Sequence, residues 1–455
     1  MAKKRQNKGI VFHRETPVRH EVDVFIAGGG PAGVAAAVAA RRQGVSVFLA
    51  EGHSCFGGMG TAALVPAFMQ FGDGVNFLAG GIGQEILTRL RTAGGTGLDD
   101  SVENSNDDCV GIKVEVLKRV YDELITETGV DFTFQTVLIG VETEGDRVAA
   151  AVCAAKSGIF AVKAKIYIDC TGDGDLAAWA GATFEKGDEQ GNLMPGTLCS
   201  LWAGMDWDVV KSSGLGSGNK RMEEAFKDGV FTIQDHHLPG IWPVGRIIGG
   251  GNIGHTFGVD GTDERSLTEA LVQGRKSMLE YERYYKEYLR GFEKMELVST
   301  GSLLGLRETR RIMGDYVLSL DDFHSRAVFD DEIGRYSYPV DIHPSSPDKA
   351  NHDKFLDEFT NLRYQRGESY GIPYRCLVPR ELSNLLVAGR CLSADRYLQG
   401  SVRVMPGCYI TGQAVGVAAS LAVEYETDTR SINVTELQNR LVGMGAYLPN
   451  VAVVQ

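Results

Sequence analysis

The sequence predicts an α/β fold. A nucleotide-binding domain with a parallel sheet, βαβ units and an antiparallel meander is interrupted by an inserted mixed α+β domain. Three stretches carry this prediction. Residues 22–51, VDVFIAGGGPAGVAAAVAARRQGVSVFLAE, read as strand, glycine turn, small-residue helix and second strand. Residues 131–180 read as short alternating strands, a buried strand, a glycine–aspartate turn and a helix start. Residues 384–424 read as one more buried strand and a helix packed with Gly and Ala. Between about 195 and 380 the texture changes to aromatic clusters and more charge. The division that follows is 1–20 extension, 21–194 first part of the nucleotide-binding domain, 195–380 inserted domain, 381–425 second part, and 426–455 C-terminal helix and tail.

Val22 to Ala27 is an apolar, branched run of the kind buried in parallel sheets. It enters G-x-G-x-x-G at Gly28, Gly30 and Gly33, with Pro31 and Ala32 inside the motif. Gly28 permits the tight turn, Gly30 leaves room for a pyrophosphate, and Gly33 lets the helix lie close on the sheet. The helix N-terminus offers free N–H groups and the positive end of its dipole to phosphates. Glu51 ends the second strand, where an acid accepts both hydroxyls of a ribose. This acid suits FAD and NAD equally. The loop after it, with Gly57, Gly58, Met59, Gly60 and Thr61, favours FAD. An NAD-only domain does not need that loop.

Composition narrows the function classes. The chain of 455 residues has a formal charge of −13, which argues against a nucleic-acid or anionic-membrane binder. No apolar run reaches membrane-spanning length. Residues 1–20 lack the apolar segment of a secretory signal, and the basic residues 3 to 8 read as a solvated tail. The eight cysteines are scattered, with no C-x-x-C pair, so no disulfide framework or metal centre is expected. They fit a reducing, cytoplasmic setting.

Residues 82–93 and 113–127 are expected as helices, with a polar loop at 94–110 between them. Strands are expected at 131–137, 138–142, 147–154 and 158–164, with a turn at Gly145-Asp146. Ile166 to Cys170 is expected as a separate buried strand. It leads to Thr171, Gly172 and Asp173 at a ligand-binding sheet edge, with Asp175 as N-cap of the next helix.

The inserted domain holds a helix at 267–291 with a tyrosine stripe at 281, 284, 285 and 288, a pattern that more often packs than binds a cofactor. If exposed, the aromatic face at 278–288 suits a homodimer. Three stretches there are candidates for a substrate site. Arg307, Arg310 and Arg311 concentrate charge around Glu308; a solvated face with local ion pairs is the alternative. Asp341 and His343 alternate along an expected strand and point the same way, as a base and its orienter do. Tyr370 to Pro379 carries Arg375 back to the first domain. There Gly389 and Arg390 follow the last strand, and Gly407 and Gly412 open a helix whose N-terminus suits a reduced flavin's negative charge.

These motifs, in this order, resemble the FAD-dependent oxidoreductase family of the glutathione-reductase-like flavoproteins, over nearly the whole chain after residue 20. The quoted residues are the Gly28–Gly33 turn with Glu51, Gly57-Gly58-Met59, Asp169 to Asp175, Arg307-Glu-Thr-Arg-Arg, and Leu386-Val-Ala-Gly-Arg. The resemblance implies an extended, Rossmann-bound FAD. Its pyrophosphate lies at Gly28–Gly33, its ribose at Glu51, and its flavin near Gly58, Thr61 and residues 389–412. One departure stands out. Many relatives place Asp after the glycine of the last strand, whereas this chain has Arg390 there and Asp395 five residues on. No second G-x-G-x-x-G supports a built-in NAD(P)H domain.

The expected function is hydride exchange between flavin N5 and a small, oxygen-rich or anionic substrate. Arg403, Arg307 and Arg311 are the candidate holders, and His343 oriented by Asp341 is the candidate acid or base. The alternative is a flavoprotein using FAD in a transferase, RNA-modifying or structural role.

Overall fold

The structure is a computed structural model that describes residues 14–100 and 106–451. The basic run at 3–8 lies outside them.

The sheet is laid down by the three predicted stretches. Val18–Ala27 sits at its centre, pairing in parallel with Val47–Ala50 on one side and Gly158–Asp169 on the other. Asp131–Thr133 extends it beyond Val47–Ala50, and Leu385–Val387 pairs in parallel with the end of Gly158–Asp169. Val137–Glu144 and Arg147–Ala155 form the antiparallel meander, joined to the start of Gly158–Asp169.

Two expectations change here. The first strand starts at Val18, inside the expected extension. The runs 158–164 and 166–170 are one continuous strand, Gly158–Asp169. It serves two partners in turn, the meander with its first half and the parallel sheet with its second.

Helix Pro31–Arg42 is small-residue because it is clamped between this sheet and helix Met405–Glu424. A Cβ on Gly33 would sit 1.9 Å from the carbonyl oxygen of Gly28, and one on Gly412 2.2 Å from that of Ala32. Backbones this close bring four strand ends and two helix N-termini to one edge. The apolar composition of Met405–Glu424 is thus a core requirement. Among the described residues no single helix is long and apolar enough to cross a membrane.

Residues 195–380 do not share one core. Ser200–Ala203, Gly240–Pro243, Ile248–Asn252 and Glu296–Thr300 form a four-stranded antiparallel sheet with helix Glu264–Tyr288. Their core includes Trp202, Met278, Tyr281, Tyr284, Tyr285 and Phe292. The tyrosine stripe is therefore largely buried within the chain, with Tyr284 and Tyr285 donating to the carbonyls of Gly218 and Ser217 at 2.9 and 2.7 Å. It is not the exposed face that a homodimer was expected to use. Ile333, Tyr336, Ile342, Tyr370 and Ile372 instead join the core around Pro31–Arg42. The chain re-enters the first domain's core well before residue 380.

Candidate active site

A single cavity of about 800 Å³ runs past the carboxyl ends of the parallel strands, touching Ala27, Ala50, Cys170 and Ala388. At one end lie Gly28, Gly30, Pro31, Ala32 and Glu51; in the middle Gly58, Met59, Thr171, Gly172, Asp173, Gly389 and Arg390. At the other end lie Arg307, Asp341, His343 and Arg403.

The first end is built from backbone. Gly30 caps helix Pro31–Arg42 without a side-chain bond, and a Cβ on it would meet nothing within 4 Å. The first-turn N–H groups have no partners inside a helix. Glu51 is buried and accepts from the N–H groups of Gly29 at 2.6 Å and His53 at 2.7 Å. A carboxylate has about four acceptor sites, so further hydroxyls can still bind it.

In the middle, Arg390 donates through Nη2 to Asp173 at 2.8 Å, while its buried Nη1 has no protein partner. Thr309 also donates to Asp173, at 2.8 Å. An unsatisfied buried guanidinium donor facing a cavity is costly without an anionic ligand. Between Arg390 and Asp395, the residues the sequence left open, only Arg390 lines the cavity. Asp395 instead caps helix Arg396–Val402, accepting from Leu398 and Leu320 at 2.7 Å each. The helix after Thr171 has Gly174 at its N-cap, with Asp175 its first residue and not, as expected, its cap; Asp169 reaches its first turn with its side chain. Asp169 accepts from Ala177 N, Thr171 N and Thr171 Oγ1, and burial pushes its pKa up to about 6. Asp175 pairs with Arg310 at 2.7 Å.

Five residues expected at the cofactor do not line the cavity: Gly33, Gly57, Thr61, Gly407 and Gly412. They are the scaffold behind it. Gly57, at φ +101°, donates to Gly29 O at 2.8 Å, and Thr61 donates to Phe56 O. Gly407 packs on Val402, and helix Met405–Glu424 and its N-cap Val404 present Val404, Met405 and Cys408 to the cavity.

The far end is built from side chains. Arg307 is buried and donates to Pro195 O and Thr197 Oγ1, each at 2.9 Å. Burial first, then the charge of Arg403, pulls its pKa down to about 10. Arg403 donates to Asp341 Oδ2 at 3.0 Å and to its backbone oxygen at 3.1 Å. Asp341 also faces His343 Nε2 at 3.3 Å. Burial opposes ionisation of Asp341, but the contacts with His343, Arg403 and Arg307 outweigh it and hold the carboxyl well below its usual range. Arg311 is elsewhere. Its guanidinium is buried against Glu308 and Gly187 O, and it is a packing ion pair, not a holder of substrate.

Two histidines complete this end that sequence reasoning missed. His255 Nε2 lies 3.0 Å from His343 Nδ1, and the ring of His237 stands edge-on to His343 with centroids 4.6 Å apart. The available signal was the Asp-His-His run at 235–237, beside the apolar segment that follows. Burial is the main cause lowering the pKa of all three, to about 3 for His237 and well below the usual value for His343, and it favours their neutral forms.

The model of the FAD dependent oxidoreductase family matches residues 23–441. The chain belongs to this family. It is an FAD-dependent enzyme, and the residues present fit the cofactor: a helix N-terminus and open Gly30 for the pyrophosphate, Glu51 for the ribose, and the spare donor of Arg390 for an anionic group. No curated protein sequence matches this oxidoreductase. Similar solved structures include a geranylgeranyl bacteriochlorophyll reductase-like protein from Thermoplasma acidophilum. It is 13% identical, with 93% of this chain and 83% of that one covered and a TM-score of 0.47. The p-nitrophenol 4-monooxygenase PnpA from Pseudomonas putida is 10% identical, covering 94% and 87%, with a TM-score of 0.49. The flavin-dependent brominase Bmp2 is 12% identical, covering 90% and 81%, with a TM-score of 0.47.

Proposed function

We propose that this enzyme exchanges a hydride with a small, oxygen-rich substrate, a hydroxylated or carboxylated compound, bound at the far end of the cavity. Bound FAD supplies a two-electron acceptor or donor at its flavin ring. Arg307 and Arg403 meet the substrate's oxygens. Both guanidiniums are already fixed by protein acceptors, so orienting a ligand costs them little further side-chain entropy. Asp341 stays ionised and holds Arg403 and His343 in place. When no ion occupies the histidines, His343 takes the hydroxyl proton that must leave when a hydride leaves its carbon. Apolar neighbours such as Leu303, Leu304 and Leu306 line the same cavity and exclude water.

The observation that carries this reading is the continuity of one cavity from a cofactor-shaped backbone cradle to a cluster of two arginines, one buried and one half-buried, and three imidazoles. Anaerobic spectroscopy tests it. Polyols, sugars and 2-hydroxy acids are added to oxidised holoenzyme, and the corresponding carbonyl compounds to dithionite-reduced holoenzyme. The expected result is bleaching or re-oxidation by one class. A flavin unchanged across the whole panel in both redox states overturns the reading.

A further inference from the structure

We propose that His237, His255 and His343 bind a divalent first-row transition-metal ion at the substrate end of the cavity. One ligand nitrogen from each lies within 4.8 Å of the others. The three come from separate segments: the 235–237 loop, strand His255–Thr256, and 341–343, which is a loop and not the expected strand. Only the tertiary fold brings them together.

The decisive feature is the pairing around His255 and His343. His255 turns Nδ1 toward Asp235 Oδ2 at 3.0 Å, an approach too bent for a good hydrogen bond. His343 turns Nε2 toward Asp341 Oδ1 at 3.3 Å. A nitrogen lone pair against a carboxylate oxygen repels, so each ring carries its N–H on the carboxylate side. A neutral imidazole has one N–H. The two remaining nitrogens, His255 Nε2 and His343 Nδ1, therefore confront each other as lone pairs at 3.0 Å. That contact requires a positive species beside it, either a shared proton or a metal ion.

Three observations select the metal. A proton bridges two nitrogens, and the cluster has three. Carboxylates behind histidine ligands are the usual outer partners of a metal site, fixing the tautomer and raising ligand basicity. Arg307 and Arg403 crowd the site with positive charge, but Asp235 and Asp341 balance them one for one, so a divalent ion is not excluded by charge. Three neutral imidazoles suit zinc, iron, nickel or copper, and leave a coordination position open. His237 and His343 line the cavity, so that position faces the substrate space. An ion there would polarise a substrate oxygen. This role in turnover rests on the function proposed above, whereas binding of the ion does not.

The test is made on flavin-loaded enzyme without substrate. The protein is dialysed against a chelator, its retained flavin is verified by absorbance, and Co²⁺ is titrated in. We expect one equivalent of Co²⁺ per chain with ligand-field bands to the red of the flavin, competed by Zn²⁺. His237→Ala and His255→Ala should each weaken Co²⁺ at least roughly a hundredfold, and Asp341→Asn roughly 10–100-fold, while the flavin spectrum is kept. A wild-type enzyme that takes up neither Co²⁺ nor Zn²⁺ stoichiometrically overturns the proposal. So does uptake that is unchanged in both histidine variants that retain flavin. A downfield shared-proton resonance in metal-free enzyme that survives added Zn²⁺ also overturns it. These readouts need no turnover, so a negative substrate screen leaves them standing.

Discussion

The two ends of the cavity are made in opposite ways. The cofactor end is contiguous chain: a strand, a turn and a helix N-terminus supply most of it within residues 26–34, and Glu51 closes it by donating nothing and accepting from Gly29. The substrate end is assembled from side chains at 235–237, 255, 307, 341–343 and 403, held by long-range contacts such as His255 with His343. A site made of backbone is specified by where side chains are absent. A site made of side chains is specified by which distant segments the fold juxtaposes. The first resists change through sterics, the second through electrostatics.

At the backbone end, cradle and scaffold differ most sharply at two glycines three residues apart. A methyl group on Gly33 collides with the backbone of Gly28, whereas one on Gly30 enters open space. Gly33→Ala is expected to abolish soluble, folded protein, and Gly30→Leu to fold normally but retain under roughly a tenth of the flavin. Circular dichroism and the ratio of flavin to protein absorbance check both. Equal behaviour of the two variants would contradict the division between scaffold and cradle.

Arg311 sharpens the contrast between buried charge that packs and buried charge that binds. Arg311→Met leaves Glu308 with Arg396 as its remaining cation. It should cost about 3 kcal/mol by denaturant unfolding, with flavin affinity unchanged. Loss of flavin in that variant would move Arg311 back to the site.

Asp169 gives a pH signature for the cofactor end. Its folded carboxyl holds its proton up to about pH 6, whereas an unfolded aspartate releases it near pH 4. The folded state therefore binds more protons in that window, and stability falls as pH rises through it. Relative to Asp169→Asn, the wild type should lose up to about 3 kcal/mol between pH 4 and pH 7. A stability difference that does not change with pH in urea titrations would refute this.

The smallest expected effect concerns Arg390. Arg390→Leu removes the spare donor and the partner of Asp173. FAD should bind roughly 10–100-fold more weakly, from about 1.5–3 kcal/mol for a charged hydrogen bond. Fluorescence titration of apoprotein measures it, and an unchanged Kd would mean that Nη1 meets no part of the cofactor.

Sequence and structure divide along the same line. The cofactor cradle was legible because glycine spacing, a strand and an N-terminal helix turn act over a few residues. Gly28, Gly30, Glu51, Asp173 and Arg390 all reach the cavity as expected. Asp175 is the first helical residue instead of the expected cap, and Asp169 reaches that first turn from the end of the strand, a contact made across a turn that no helical spacing marks. The tyrosine stripe was legible as a packing face, but its partners, Trp202 and Phe292 among them, were not, since period alone does not say what a face packs against. His237 and His255 were missed for the same reason. His255 has no local pattern to read, and the Asp-His-His run before His237 does not say which segments it meets.

The sequence by itself determined the α/β class, the nucleotide-binding turn and the family, because each is written in short-range patterns that sterics enforce locally. Only the tertiary structure decided which charges face the cavity and which pack. It buried Arg311 against Glu308 and set three histidines within 4.8 Å of one another. Burial and Coulomb energy depend on neighbours in space, and no local pattern encodes them.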